Sequence, residues 1–238
     1  MHGLVHALAD LLYPRVCLAC GGDAGRDRGF LCWDCMAGLE YISGEYCAQC
    51  GDPIEGVAGH EFRCSSCQDR RPGFDRARSA VRHRGTFKKA VQAFKYENAI
   101  CLAADFAQLL EGCVRAQYGR IAFDAVTCVP LHARKERERT YNQSALLGRD
   151  TARRLGLPFF AGCLVRARDT ATQTRLSAAA RRRNMRGAFE VRAGEWIEGR
   201  TLLLVDDVMT TGATVDECAR ALQGAGAAGV YVATLGRG

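Results

Sequence analysis

Leu202-Leu203-Leu204-Val205-Asp206-Asp207-Val208-Met209-Thr210-Thr211-Gly212-Ala213-Thr214 is the stretch on which the fold reading turns. Leu202–Val205 is short, apolar and bounded by polar residues, as a buried parallel strand should be. From Val215 onward, Val215, Cys218, Ala219 and Leu222 fall at helical spacing, with Gly224 as a stop. The Thr/Gly turn between them precedes a helix start, where backbone N–H groups can cradle a phosphate and Thr hydroxyls add donors. Asp206 and Asp207, at the end of the strand, suit ribose hydroxyls or Mg²⁺. One loop thus offers groups for both ends of a ribose phosphate. The plainer reading is a solvated acidic turn before an ordinary N-capped helix.

Working outward, Ala77–Arg82 and Ala125–Val129 read as short strands, the second ending in Pro130. Phe87, Ala90, Val91 and Phe94 share one helical face, and Leu102, Phe106, Leu109 and Cys113 another. A helix is expected from Tyr141 to Leu155, stopped by Gly156 and Pro158. Strands recur at Phe159–Val165, Ala188–Val191, Thr201–Val205 and Gly229–Thr234. Strands alternating with helices predict an α/β fold with a parallel sheet flanked by helices, and ligands at the carboxyl ends of the strands.

The 238 residues suit one domain of ordinary size and a small module. No apolar run is long enough to span a membrane. Met1–Tyr13 carries Leu4, Val5, Leu8, Leu11 and Leu12 on one helical face and lacks the basic start and cleavage site of a signal peptide. It reads as a docking helix ended by Pro14, within an N-terminal segment 1–16, and the chain reads as cytoplasmic. The net charge of +7 is unevenly spread: residues 1–75 hold 6 basic and 11 acidic side chains, and residues 134–186 hold 14 basic and 4 acidic. Such a cluster implies a polyanionic ligand, a diphosphate or a nucleic acid.

Eight of the 13 cysteines form four Cys-x-x-Cys pairs, 17/20, 32/35, 47/50 and 64/67. One such turn presents two thiolates to a metal, and two turns complete a tetrahedral Zn²⁺ site. Gly21 and Gly51 follow the first and third pairs, as the tight first knuckle of a ribbon requires. This favours two consecutive zinc ribbons over residues 17–67, Cys17/Cys20/Cys32/Cys35 and Cys47/Cys50/Cys64/Cys67, with a nested pairing left open. Zinc is preferred to disulfides because four equal pairs in a chain without a leader fit a reducing compartment. Eight thiolates with two Zn²⁺ add roughly −4, which makes this module acidic and points to a structural role rather than a nucleic-acid reader. The other five cysteines, 101, 113, 128, 163 and 218, sit on apolar faces and read as core. Pro72-Gly73 marks a linker over 68–76, and the main domain follows over 77–238.

Three more segments carry candidate chemistry. Cys128-Val129-Pro130-Leu131-His132-Ala133-Arg134-Lys135 is a strand running into a basic loop suited to a pyrophosphate, or merely a solvated strand exit. In Arg137–Gln143, Tyr141, Asn142 and Gln143 supply an aromatic and two amides suited to a base or a phosphate. Between Val165 and Ala188 the chain is polar, Arg-rich and without clear periodicity; Arg166, Thr170, Gln173, Leu176, Arg181 and Asn184 fall here. A long polar loop in an α/β domain reads as a functional lid, against the plainer reading of a basic surface loop.

Taken in order, the four Cys-x-x-Cys pairs, Val129-Pro130-Leu131-His132, Tyr141-Asn142-Gln143, the Arg166/Thr170/Gln173/Arg181/Asn184 series and Val205–Thr214 resemble the ComF (ComFC) family of competence-associated proteins. The resemblance covers residues 8–236, and Thr140 stands where the family pattern usually has Gly. It implies a double zinc ribbon before a fold like that of the type I phosphoribosyltransferases, which use phosphoribosyl pyrophosphate (PRPP). By that resemblance Asp206 and Asp207 bind ribose hydroxyls directly or through Mg²⁺ and are the catalytic candidates. Thr210, Thr211, Gly212, Ala213 and Thr214 hold the 5′-phosphate, and Val208 belongs to the substrate-binding set. Pro130, Leu131, His132, Arg134 and Lys135 face the pyrophosphate, and residues 166–187 form a flap. Tyr141, Asn142, Gln143, Gln173, Arg181 and Asn184 complete the substrate-binding set. The expected activity is phosphoribosyl transfer from PRPP to an unknown nitrogen acceptor, connected to DNA uptake, with two structural Zn²⁺ and Mg²⁺ accompanying PRPP. The alternative is a non-catalytic single-stranded-DNA-binding competence factor that senses PRPP and works with a DNA-uptake or helicase partner. A zinc-dependent interaction scaffold is a third reading.

Overall fold

A computed structural model describes residues 15–25, 29–54, 56, 61–170, 178–192 and 194–238. The docking helix expected over Met1–Tyr13, Gln173 and Leu176 lie outside them. Four parallel strands form the central sheet in the order β1 (Arg76–Arg82), β6 (Gly229–Arg237), β5 (Thr201–Met209), β2 (Ala125–Cys128). Register is set in the middle of the sheet, where Leu202 lies beside Val230 on one side and Ala125 on the other. Side chains alternate across the pleat. Leu203, Val205 and Leu235 bury themselves with α3 (Gly85–Tyr96), α4 (Leu102–Tyr118) and α6 (Gln143–Leu155). Leu202, Leu204 and Val232 bury themselves with α9 (Ala213–Gly224) on the other face. This is the parallel sheet with helices on both sides that the alternating pattern predicts.

The remaining elements are shorter. Helices α1 (Trp33–Ala37) and α2 (Ser65–Asp69) lie in the cysteine-rich region, α5 (Ala133–Arg139) follows β2, and α7 (Ala178–Met185) and α8 (Gly194–Ile197) flank β4 (Phe189–Val191). The expected strand over Phe159–Val165 divides. Phe159 makes a single parallel bridge to Val126, the chain turns through Gly162 at φ 83°, and β3 (Leu164–Arg166) pairs antiparallel with β4 in a separate sheet. β5 runs four residues past the expected Val205, because Val208 and Met209 keep pairing with Gly236 and Arg237. The basic stretch after Pro130, expected as a loop, is helix α5. Its N-cap is His132, whose Nδ1 accepts the Arg134 N–H at 3.3 Å. Among the spare cysteines, Cys128, Cys163 and Cys218 are buried as expected, Cys113 is half-buried and Cys101 is exposed.

The cysteine pairs converge sequentially: Cys17/Cys20/Cys32/Cys35 and Cys47/Cys50/Cys64/Cys67, with the Sγ atoms of each set within 4.8 Å of one another. Backbone N–H groups point at sulfur in both, Cys32 to Cys17 Sγ and Cys64 to Cys47 Sγ at 3.3 Å each, a donor set suited to thiolates. The segment joining the two sites runs along the free edge of β1. Ile42 donates to Ala80 O at 3.1 Å, Arg82 to Glu40 O at 2.8 Å and Ala77 to Gln49 O at 2.8 Å. The cysteine module therefore covers an edge that would otherwise be open to strand addition. Residues 68–76, expected as a linker, are packed down: Gly73 donates to Asp216 Oδ1 at 2.6 Å and the Gln49 amide donates to the carbonyls of Phe74 and Asp75 at 2.7 Å each.

Candidate functional site

The carboxyl ends of β5 and β2 open into a cleft of about 470 Å³. Its floor is the Asp206/Asp207 pair. Asp207 is buried, because Lys95 from the last turn of α3 reaches it at 2.7 Å (Nζ to Oδ1) and the Gln143 amide donates to its other oxygen at 2.9 Å. Asp206 Oδ1 accepts the Ser144 hydroxyl at 2.8 Å and the Asp207 N–H at 2.9 Å. Part of Asp206 faces the cleft, yet protein surrounds it. Burial and then the Asp207 charge push its carboxyl up to about 7, against the pull of Ser144 and Lys95. Gln143 and Ser144 reach the pair because Asn142 caps α6, its Oδ1 accepting the N–H groups of Ser144 and Ala145 at 3.0 and 3.4 Å.

Above the floor, residues 209–215 form the turn into α9. Gly212 takes a left-handed conformation (φ 73°) as N-cap and supplies no side-chain cap to the helix. The first N–H groups of α9 are thus left for an external acceptor, and the positive end of the helix lies at the cleft. A Cβ on Gly212 would stand 2.9 Å from Met209 Cε, the movable end of a flexible side chain, so the positive φ rather than lack of space favours glycine there.

Lys135, Arg139, Arg166 and Arg181 line the cleft as well. Burial, with help from Arg166 and Arg139, holds the Lys135 amine below its ordinary value. Crowding of cations at one wall is the electrostatic signature of an anion site. Arg166 is itself half-buried, bonded to the Thr170 hydroxyl and set over the Phe189 ring at 5.7 Å.

The cleft thus gathers Asp206, Asp207, Val208, Thr210, Thr211, Gly212, Ala213, Thr214, Pro130, Leu131, Lys135, Gln143, Arg181 and Asn184 from the expected set. Four expected residues do not line it. Arg134 lies on the outer side of α5, its Nε donating to Asp169 Oδ2 at 2.7 Å, and His132 Nδ1 faces the same carboxylate at 3.7 Å. Tyr141 packs on Phe94 and donates its hydroxyl to the Phe94 carbonyl. Asn142 is spent on the cap and on Val129 O, at 3.2 Å. Thr140 takes the left-handed conformation (φ 66°) that glycine adopts most readily, at a cost of about 1–2 kcal/mol.

Lys95, Ser144, His83 and Tyr96 are lining residues that the motif reading missed. Lys95 had one signal: it follows buried Val91 by four residues, so it continues the core face of α3 with a charge. Burial, then Lys95 and Lys88, hold the His83 ring below its ordinary value, and its Nε2 is buried without a partner among the described residues.

Comparison with known proteins agrees with this geometry. The double zinc ribbon domain family matches residues 8–69 and the phosphoribosyl transferase domain family matches residues 142–237. Competence protein F of Haemophilus influenzae is 30% identical over 225 residues, 93% of this chain and 96% of its own. DNA utilization protein YhgH of Salmonella typhi is 34% identical over 232 residues, covering 95% of this chain and 99% of that one. The chain belongs to the competence protein F/YhgH family. The two four-cysteine clusters are its zinc sites, structural in a ComF-type chain because all four positions of each are taken by sulfur. Lys95 and Pro130–Leu131 precede the matched phosphoribosyl transferase stretch. Among solved structures, a glutamine PRPP amidotransferase from B. subtilis, complexed with ADP and GMP, overlaps 56% of this chain and 25% of its own at 24% identity and a TM-score of 0.38. That overlap adds nothing to the assignment, which rests on the sheet and the family matches. Among the described residues no helix is long and apolar enough to cross a membrane.

Proposed function

We propose that this protein binds PRPP in the cleft and transfers its phosphoribosyl group to a nitrogen acceptor, releasing pyrophosphate, in the service of DNA uptake. The observation that carries the reading is the glycine-capped start of α9 beside the Asp206/Asp207 pair, in a cleft that four cations also line. In this reading the N–H groups and hydroxyls of Thr210–Thr214 take the 5′-phosphate. Asp206 takes a ribose hydroxyl, while Lys95 and Gln143 hold Asp207 in place. Lys135 and its arginine neighbours face the pyrophosphate. The N–C1′ bond forms as the C1′–O bond to pyrophosphate breaks, so stabilising charge on the leaving group is the main demand on the site.

Asp206 Oδ2 takes no hydrogen bond among the described residues, which fits a hard cation there. When bound, Mg²⁺ would supply neutralisation of the diphosphate. A cation at Asp206 requires the carboxylate ionised, so Mg²⁺-dependent PRPP affinity rises with pH through about 7. The deciding experiment measures pyrophosphate release from PRPP with Mg²⁺ across bases and amines. Asp206→Asn and Asp207→Asn abolish it if the reading holds; a wild type that shows neither pyrophosphate release nor PRPP binding overturns it.

One observation favours a reading without turnover: both Asp207 oxygens are already bonded, to Lys95 and Gln143. The protein would then sense PRPP while holding single-stranded DNA, with relatives named for DNA utilization in support. Its mark is single-strand affinity that falls steeply with salt and drops when Arg181, Arg182 and Arg183 are neutralised.

A further inference from the structure

The turn at residues 209–213 has two sides. One faces the cleft just described; the other walls a second cleft of about 490 Å³ whose far side is the second zinc ribbon, with Cys50, Cys64 and Cys67. Among the described residues, the Arg237 side chain crosses between them. Arg237, the last residue of β6, lies beside Met209 in the sheet register, and its side chain is only 8% exposed. Nη1 donates to Met209 O at 3.0 Å and to Thr210 O, and Nη2 pairs with Asp52 Oδ1 at 3.1 Å.

Asp52 belongs to the first knuckle of that ribbon, where its carbonyl accepts the Cys47 N–H at 2.8 Å. The corresponding carbonyl in the first ribbon belongs to Gly22, which accepts the Cys17 N–H at 2.6 Å and has no side chain to offer. The carboxylate is therefore an addition to the ribbon pattern, not part of it.

Covalent geometry carries the effect into the turn. In a trans peptide the carbonyl and the next N–H point in opposite directions across one plane. By holding Thr210 O, Arg237 fixes that plane and turns the Thr211 N–H away from the ribbon. A phosphate-binding turn depends on where its N–H groups point.

We propose that Asp52 and Arg237 form a strut through which the second zinc ribbon sets the orientation of the phosphate turn, making Arg237 a positioning residue for a phosphate-bearing ligand. The ligand part rests on the function proposed above; the strut itself does not. Breaking the Asp52 end leaves a buried guanidinium without its carboxylate, and the Thr210–Thr211 peptide loses its anchor.

The test uses the full-length zinc-loaded chain with Asp52→Asn, Arg237→Lys and, as a control, Asp34→Asn on exposed α1 of the first ribbon. Calorimetry measures ribose 5-phosphate, PRPP and inorganic pyrophosphate, and amide exchange is followed without ligand. Asp52→Asn and Arg237→Lys weaken ribose 5-phosphate and PRPP about tenfold, equivalent to about 1.4 kcal/mol, and leave pyrophosphate unchanged. Amides of Thr210–Thr214 exchange faster while those of Leu202–Val205 and the zinc content hold. Asp34→Asn changes none of these. Unaltered exchange at Thr210–Thr214 in Asp52→Asn overturns the strut, whatever the ligands do. A wild type that binds none of the ligands defeats the functional reading alone, and the exchange still decides the strut.

Discussion

The first and second zinc ribbons repeat the same knuckle and dock on different faces of the sheet. In both, the first pair is closed by a turn from the glycine N–H to the leading cysteine carbonyl, Gly21 to Cys17 and Gly51 to Cys47, at 2.8 Å each. Yet Cys17, Cys32 and Cys35 bury themselves with α3 and α4, whereas Cys47, Cys50 and Cys67 join Met209 and Ala213 of the phosphate turn. The difference lies in residues the zinc pattern leaves free. Gly51 is pressed against β1 while Gly21 stands open, and Asp52 reaches Arg237 where Gly22 has no side chain to extend. A repeated metal motif thus builds two modules, and a few unpatterned positions decide what each one supports.

The strongest challenge to that contrast is removal of each metal in turn. Structural zinc contributes about 10–16 kcal/mol of binding free energy to small metal-folded modules. Cys17→Ser with Cys20→Ser, and Cys47→Ser with Cys50→Ser, should each cost one zinc and unfold the local ribbon. Only the second pair should also raise amide exchange across Thr210–Thr214 and weaken ribose 5-phosphate. Zinc analysis with exchange mass spectrometry reads both, and an equal loss of protection at the turn in the two variants would erase the distinction.

A smaller effect comes from the matched glycines. Gly21→Ala meets nothing within 4 Å and bears only the strain of φ 80°, about 1 kcal/mol. Gly51→Ala adds to its φ of 67° a Cβ only 2.5 Å from the backbone oxygen of Ala77. Neither backbone can yield without moving β1, so its cost should exceed that of Gly21→Ala by about 1–3 kcal/mol. Urea midpoints of the two zinc-loaded variants measure the gap, and equal midpoints would mean that the second ribbon is no more tightly seated than the first.

These contrasts also mark how far the sequence could be read. Leu202–Val205, the core face Phe87/Ala90/Val91/Phe94 and the four cysteine pairs were legible because period and spacing are local signals. The continuation of β5 to Met209 was hidden behind Asp206-Asp207, which locally resembles a turn and becomes a strand only beside β6. Helix α5 has no buried residue and α7 no apolar stripe, so neither leaves a periodic trace. Within the cleft, the phosphate turn was readable as one contiguous motif. Lys95 was not, because its role depends on Asp207, which only the fold brings to it. His132 and Arg134 face away from the cleft because the loop expected there is a helix, with His132 at its N-cap and Arg134 on its outer side.

The subtlest separation of the two ribbons is in pH. The first is held by Asp105 of α4, whose Oδ2 accepts the Phe30 N–H at 2.7 Å; the second is held by the amide of Gln49, which has no proton to lose. Burial keeps the Asp105 carboxyl above its ordinary value of 3.8, outweighing the N–H groups of Phe30 and Leu31 and the nearby Arg154. The folded state therefore retains a proton where the unfolded chain has lost it. Stability from this site is greatest below 3.8 and declines as pH rises through the raised value. Protons compete for the cysteine ligands of both ribbons, so the diagnostic quantity is the difference between wild type and Asp105→Asn, which keeps an oxygen for Phe30 but cannot ionise. That difference in amide protection at Phe30 and Leu31 should shift against the wild type as pH rises just above 3.8, while Ala77, docked on Gln49, shows none. A parallel shift at Ala77 would mean that one shared process governs both ribbons and that their docking is not independent.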